Sequence, residues 1–147
     1  MNSFTISRTG TYLTVQDFGR FNYQHLGISP SGAMDHRILS VLNTIITKSE
    51  NQFLEFAYVG PSLKITEGSI KACVGGECKI FVQKQNNTQI EHKPYTSINL
   101  FEGDELTIHN TIDSVYGYIA IENGLGLQPC LNSYSTDTKA QIGSIPR

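Results

Sequence analysis

Apolar and polar residues alternate over short stretches along most of the chain, and residues that favour turns separate these stretches. A period of two places alternate side chains on opposite faces of a strand. Three pairs show the alternation most clearly, namely Leu63 with Ile65, Ile98 with Leu100, and Leu106 with Ile108. Residues 53–58 and 115–121 are apolar on both faces, which is typical of central strands. The pattern predicts a mainly β protein, a barrel or sandwich of antiparallel strands.

One segment, residues 33–47, has helical spacing instead. Its apolar positions at i, i+3, i+4 and i+7 are Ile38, Val41, Leu42 and Ile45. This stripe predicts one amphipathic helix. Ser31 is the expected N-cap, and Asp35 lies in the first turn, where the helix dipole favours a carboxylate.

The three cysteines, Cys73, Cys78 and Cys130, form no C-x-x-C pair. A hairpin with the three-residue turn 75–77 would pair Val74 with Cys78 and keep one apolar face continuous. Cys73 would then point away from Cys78. The sequence therefore predicts a hairpin here and no disulfide, as expected for a reducing compartment.

Composition and charge narrow the class of protein. The 147 residues fit one domain, and 11 Lys and Arg against 13 Asp and Glu give a net charge of -2. Without a basic cluster we expect no nucleic-acid partner, and without an apolar run of about 18 residues we expect no membrane span. The N-terminus has no secretory pattern, so we expect a soluble, cytoplasmic protein.

The loop before the helix, Gly27–Gly32, has the spacing G-x-x-x-x-G. A nucleotide-binding P-loop would continue with Lys and then Ser or Thr, but Ala33 and Met34 stand there. Two interpretations remain open. Backbone N–H groups and serine hydroxyls bind an anion at the helix N-terminus, or the loop is a turn that caps the helix.

Residues 16–25 concentrate polar chemistry. Arg20 can bind a carboxylate with two hydrogen bonds. Histidine is the residue type best suited to acid–base chemistry near neutral pH, so His25 is the candidate general acid or base. The alternative is that Asp17 and Arg20 form a surface pair that braces a loop. Residues 133–137 form a hydroxyl-rich loop that suits either a polar ligand or a turn. The histidines have no metal-ligand spacing, so no metal site is predicted.

Three runs in this region resemble the opening of a known family. They are Thr14–Arg20 (TVQDFGR), Tyr23–Gly27 (YQHLG) and Ser31–Asp35 (SGAMD). The family is that of biotin-dependent carboxyltransferase A/B domains, which includes allophanate hydrolase subunit 2-like proteins, the C subunit of 5-oxoprolinase, and KipA. Later matches include Leu54-Glu55 and Gly60-Pro61, whereas Tyr134 stands where the family usually has Arg. Family members continue past the equivalent of Arg147, so residues 1–147 are expected to be a single, truncated domain of this type.

The resemblance implies a cyclophilin-like β-barrel and a partner that is KipI-like or similar to the B subunit of 5-oxoprolinase. It implies that this chain binds no cofactor itself, and that ATP or biotin enters at the level of the complex. The substrate-binding residues that it implies are Asp17, Arg20, Gln24, His25, Ser31, Gly32, Asp35, Ser135 and Thr136.

The leading hypothesis is a subunit, or an N-terminal subdomain, of a complex that acts on a small amide or carboxylate. The reaction would be ATP-dependent hydrolysis of 5-oxoproline or carboxyl transfer from biotin. We expect no activity from the chain alone, and a separate chain is a possible source of the second half. The alternatives are a non-catalytic, KipA-like regulatory module and an inactive remnant.

Overall fold

A computed structural model describes residues 1–143, which form ten strands, one α-helix and one short 3-10 helix. The strands are β1 (Ser3–Arg8), β2 (Leu13–Gln16), β3 (Phe53–Ala57), β4 (Ser62–Glu67), β5 (Ser69–Gly75), β6 (Cys78–Gln83), β7 (Gln89–His92), β8 (Ser97–Phe101), β9 (Glu105–Thr111) and β10 (Tyr116–Ile121). The 3-10 helix (Gln24–Leu26) and helix α1 (His36–Ile45) lie between β2 and β3. The predicted mainly β class with one helix is confirmed.

The strands form two antiparallel sheets of five strands each. The first sheet has the order β1-β4-β9-β6-β7, and the second has the order β2-β3-β10-β5-β8. Alternate side chains of both sheets point into one shared core, which includes Leu54, Phe56, Ile65, Val74, Ile80, Leu106, Ile108 and Ile119. The three alternating pairs of the sequence all contribute buried residues, and residues 116–121 form the middle strand of the second sheet.

Helix α1 covers the other face of the second sheet. Its buried residues Leu39 and Leu42 pack in a second cluster with Phe53, Cys73 and Tyr118 from β3, β5 and β10. Gly75 allows this close approach, because a Cβ atom there would lie 2.5 Å from Ile38 Cγ2. The second sheet is therefore buried on both faces along part of its length.

The start of the helix and its buried face differ from the prediction. Asp35, not Ser31, is the N-cap, and its carboxylate accepts hydrogen bonds from the N–H groups of Arg37 and Ile38. The N–H groups of Ala33 and Met34 are bonded to Asp17 and Glu55, which holds these residues in the loop. The apolar stripe is rotated, so that Val41 is 44% exposed and Leu39 is buried in its place.

The predicted hairpin between β5 and β6 is wrong. The two strands belong to different sheets, because the chain crosses between them at Gly76, whose φ of +110° suits glycine. The apolar side chains of β5 and β6 therefore pack against each other across the core, and they do not form one continuous face of a single sheet. All three cysteines are free, as predicted, and Cys73 faces α1. Burial raises the pKa of Cys73 to about 11 and that of Cys78 to about 12.

Within residues 1–143, the structure contains no helix of the length and apolar character that a membrane crossing requires.

The cap gives a test of the helix start. We expect Asp35→Ala to lower the free energy of unfolding by about 1 kcal/mol, because two N–H groups of the first turn lose their acceptor. Asp35→Asn keeps a side-chain oxygen and should lose much less. Urea denaturation of both variants measures the difference, and equal losses would contradict the capping role.

Candidate functional site

A cleft of about 600 Å³ opens on the outer face of the second sheet, beside the start of α1. Gln16, Glu55 and Tyr116 lie on its strands, and its two walls are parts of the loops 27–34 and 136–140. A smaller cavity of about 410 Å³, lined by residues 2–4, 69–71 and 121–126, contains none of the predicted site residues. The larger cleft is therefore the candidate ligand site.

A buried glutamate forms part of the floor of the cleft. Glu55 is only 1% exposed, and it lies between Leu54 and Phe56, whose side chains point into the core on the other face of β3. Its Oε2 accepts hydrogen bonds from the Tyr118 hydroxyl at 2.7 Å and from the Met34 N–H at 2.9 Å. The Tyr118 oxygen in turn accepts the Asp35 N–H at 2.9 Å.

The environment of Glu55 opposes its ionisation. Burial raises the pKa of the carboxyl group, and the hydrogen bonds from Tyr118 and Met34 offset only part of this effect. The pKa of Tyr118 is also raised, first by burial and then by its hydrogen bond to Glu55. A buried carboxyl group with a perturbed pKa in a cleft is typical of a functional site.

Gln16 fixes both walls of the cleft. Its Oε1 accepts the Gly32 N–H at 3.2 Å, and its Nε2 donates to the Thr136 carbonyl oxygen at 3.2 Å. Gly32 has a φ of +95°, and a Cβ atom there would lie 3.0 Å from the Gly19 backbone. One amide side chain on β2 therefore holds two loops that are more than 100 residues apart in sequence.

The loop before the helix is a turn, and most of its N–H groups already have partners. Ser31 N–H donates to Ser29 Oγ, and Gly32 N–H donates to Gln16. At the helix start the acceptors are Glu55, Tyr118 and Asp35. Of the two interpretations left open by the sequence, this geometry favours the turn, because the protein's own groups occupy the donors that an anion would need.

Asp17 is a structural centre beside the cleft. Its carboxylate accepts hydrogen bonds from the N–H groups of Gly19 and Tyr134 and from the hydroxyls of Ser133 and Ser135. The Asp17 N–H donates to Ser135 Oγ at 3.0 Å. Asp17 is 7% exposed, so this carboxylate joins the loop after β2 to the late segment 133–135.

Arg20 is also buried and is not part of a surface pair with Asp17. Its Nε donates to the Cys130 carbonyl oxygen at 3.1 Å, and its Nη2 donates to the Ser135 carbonyl oxygen at 2.8 Å. The ion pairs among residues 1–143 do not include the two side chains. Nη1 is buried without a hydrogen-bond partner among the described residues. The surface-pair alternative is wrong, because both groups serve as internal anchors of the late segment.

The structure divides the predicted site residues into four groups. Ser31, Gly32 and Thr136 line the cleft. Asp17, Arg20 and Ser135 are buried beside it, and Asp35 caps the helix. Gln24 and His25 are exposed on the 3-10 helix and do not line the cleft, so the acid–base role of His25 stays a prediction.

Several cleft residues were not predicted from the sequence as site residues. They are Gln16, Glu55, Tyr116, Asp137 and Lys139. Glu55 carried a signal, since it is a charged residue in the otherwise apolar stretch 53–58. Lys139 carried none, because it lies in a loop of ordinary polar composition. Among residues 1–143, no group of three His, Cys, Asp or Glu side chains is arranged to hold a metal ion.

The contacts of Asp17 predict a large effect on stability. We expect Asp17→Ala to lower the free energy of unfolding by at least about 3 kcal/mol, because it leaves four buried donors without their acceptor. Chemical denaturation measures the loss, and limited proteolysis should cut within residues 128–143. Glu91→Ala, on the exposed edge strand β7, is the control. A loss for Asp17→Ala as small as that of the control would contradict this role.

Glu55 predicts a pH dependence of stability. The pKa of Glu55 in the folded protein lies above the ordinary value of 4.5. The unfolded chain therefore loses this proton first as the pH rises, and the free energy of unfolding of the wild type decreases. Glu55→Gln lacks this penalty. Its free energy of unfolding relative to the wild type should therefore increase between about pH 4 and about pH 7, as measured by urea denaturation at each pH. A difference that stays constant or falls would show that the folded pKa is not raised.

Known proteins are similar to this chain in sequence. The chain is 33% identical to the C subunit of 5-oxoprolinase from Haemophilus influenzae over 136 residues, which is 90% of this chain and 41% of that protein. It is 29% identical to urea amidolyase of Saccharomyces cerevisiae, over 94% of this chain and 7% of that protein. The chain therefore spans less than half the length of these relatives.

Solved structures are similar to this chain in fold. The crystal structure of TTHA0988 superposes with a TM-score of 0.84 at 28% identity, over 95% of this chain and 51% of that chain. The urea carboxylase of Kluyveromyces lactis superposes with a TM-score of 0.79 at 27% identity, over 90% of this chain and 12% of that chain. The family described as "Carboxyltransferase domain, subdomain A and B" matches residues 26–147. The chain belongs to this carboxyltransferase A/B domain family.

Proposed function

We propose that this chain is a subunit, or an N-terminal subdomain, of a complex that acts on a small amide or carboxylate compound. The observation that carries the proposal is the match to the C subunit of 5-oxoprolinase along 90% of the chain. The reaction proposed first is ATP-dependent hydrolysis of 5-oxoproline. Carboxyl transfer from biotin is proposed second, because urea amidolyase and urea carboxylase are also among the similar proteins.

The cleft is the proposed substrate site, and its chemistry suits such a compound. Glu55 offers a carboxylate oxygen at the floor, Ser31 is a further polar residue, and Lys139 brings a cation. An amide has an N–H donor and a carbonyl acceptor, while the carboxylate of 5-oxoproline needs a cation or donors. The cleft therefore has partners for both ends of the molecule.

The residues of the cleft fit a ureido group better than a triphosphate. Among the residues that line it, Lys139 is the one with a fixed positive charge, and the N–H groups at the start of α1 are already bonded. We therefore propose that ATP binds to another part of the complex. The ureido ring of biotin has N–H groups that match the carboxylate of Glu55, so it fits this cleft. The ring would supply a carboxyl group there only in its N-carboxylated form, and it would leave as the N–H form.

Two partners are proposed. One is a KipI-like protein or a protein similar to the B subunit of 5-oxoprolinase, and the other is a separate chain that supplies the segment missing relative to the C subunit of that enzyme. Support for additional parts comes from the length comparison, since this chain matches 41% of the Haemophilus protein. We propose that the complex is active and that this chain alone is not.

The test is reconstitution of the complex. We expect this chain, its two proposed partners and ATP to convert 5-oxoproline to glutamate, and we expect no turnover without this chain. Lys139→Ala should raise KM about tenfold with little change in kcat, because it removes the cation that binds the substrate carboxylate.

The control is Lys64→Ala, since Lys64 is exposed on β4 in the other sheet and should leave both constants unchanged. An unaltered KM for Lys139→Ala would remove Lys139 from the site. If no combination of the proteins hydrolyses 5-oxoproline or transfers a carboxyl group from biotin, the proposed function is wrong, and the KipA-like regulatory module becomes the better hypothesis.

A further inference from the structure

One oxygen of the buried glutamate has no hydrogen-bond partner among residues 1–143. Glu55 Oε2 accepts two hydrogen bonds, from Tyr118 and Met34, whereas Oε1 accepts none within the described residues. Glu55 nevertheless lines the cleft, and Oε1 is not among the fully enclosed side-chain atoms that lack a partner. A buried carboxylate is stable only where donors satisfy it, so a donor from outside the chain suits this oxygen.

The backbone holds this oxygen in place. Glu55 lies on β3 directly opposite Thr14 of β2 and Tyr118 of β10, in the paired part of the sheet. The bonds to Oε2 fix the rotation of the carboxyl group, because Tyr118 itself is held by the Asp35 N–H. Oε1 is therefore a preorganised acceptor, which is the requirement for selecting one ligand group over another.

The charges around Glu55 indicate which kind of donor it takes. No ion pair among residues 1–143 includes Glu55, and the other charged residues that line the cleft are Asp137 and Lys139. A ligand carboxylate would be repelled by Glu55 and attracted by Lys139. The end of the ligand that meets Glu55 is therefore an N–H donor and not an anionic group.

From these contacts we propose that Glu55 Oε1 accepts a hydrogen bond from the N–H of an amide or ureido group, and that it makes the cleft select ligands with this group. The inference rests on the proposed function in taking the cleft as the small-molecule site. It adds the residue that determines specificity and the atom that makes the contact. The contact is a hydrogen bond, so no covalent bond forms or breaks.

Two ring compounds of similar size test the contact. 2-Pyrrolidinone has an amide N–H, and cyclopentanone has a CH₂ group at that position but keeps the carbonyl. In NMR titrations of the 147-residue chain, we expect 2-pyrrolidinone to bind about tenfold more tightly than cyclopentanone, with shifts of the Gly32 and Met34 amides.

Glu55→Gln should remove this preference. Its side-chain oxygen can accept the hydrogen bonds of Tyr118 and Met34, which places the NH₂ group at the cleft, where it donates instead of accepting. We expect 2-pyrrolidinone to bind about tenfold more weakly to this variant and cyclopentanone to bind as well or better. Glu91→Gln on β7 is the matched control, and the ¹H–¹⁵N spectrum of each variant verifies the fold.

Three results would overturn the inference. They are equal binding of both compounds by the wild type, an unchanged preference in Glu55→Gln, and no binding of 2-pyrrolidinone at the cleft. The reconstituted complex separates this inference from the proposed function. Turnover of 5-oxoproline with an unchanged KM in Glu55→Gln would refute only the role of Glu55. The expected preference in the NMR titrations, together with a complex that shows no turnover, would refute only the proposed function.

Discussion

The site depends on two buried carboxylates, Asp17 and Glu55, each of which needs hydrogen-bond donors. A carboxylate removed from water needs several donors to remain in a folded protein. β3, which carries Glu55, and the loop after β2, which carries Asp17, supply few donors to these carboxylates, so most of the donors come from segments distant in sequence. Residues 133–135 satisfy Asp17, and residues 34 and 118 satisfy Glu55. Satisfying the two charges brings the loops together and forms the walls of the cleft.

The same need for hydrogen-bond partners explains why Asp17 and Arg20, in the polar segment 16–25, hold loops together and do not line the cleft. Asp17, Arg20 and Ser135 point into the protein, where each bonds to main-chain atoms of the other segment or to Asp17 itself. Two of the polar groups that remain open to the cleft, Gln16 and Glu55, lie on strands. A site on strands keeps its geometry better than one on loops, which suits a floor that must present one oxygen in a fixed direction.

The sequence predicted most of the strands, because apolar alternation is a local property, but it did not predict how the strands pair. Leu106 with Ile108 shows the alternation because one face of β9 packs on the core. Three of the four edge strands, β1, β2 and β7, were not predicted individually, although Phe4 with Ile6 in β1 and Leu13 with Val15 in β2 alternate with polar residues in the same way. The hairpin at residues 75–77 was wrong for a related reason, since a turn between two apolar rows does not reveal that the chain changes sheets.

The sequence also could not indicate which polar residues face the cleft, since residue type shows polarity but not the direction of a side chain. Glu55 was detectable only as an exception, a charge within an apolar strand, and its role depends on Tyr118, which lies 63 residues away. No local pattern contains that pairing, because cross-strand neighbours are set by the topology of the whole sheet.

The choice of partners for Glu55 bears directly on what the cleft can recognise. An arginine or lysine beside Glu55 would satisfy the carboxylate as an ion pair and leave little reason for a ligand to bind there. A tyrosine hydroxyl and a backbone N–H instead satisfy one oxygen and leave the other as an acceptor. They also leave the charge uncompensated, so the site discriminates against anionic groups at this point and in favour of N–H donors. The absence of a cation beside Glu55, within the part of the chain that the structure describes, is thus the feature that turns a buried carboxylate into a means of recognition.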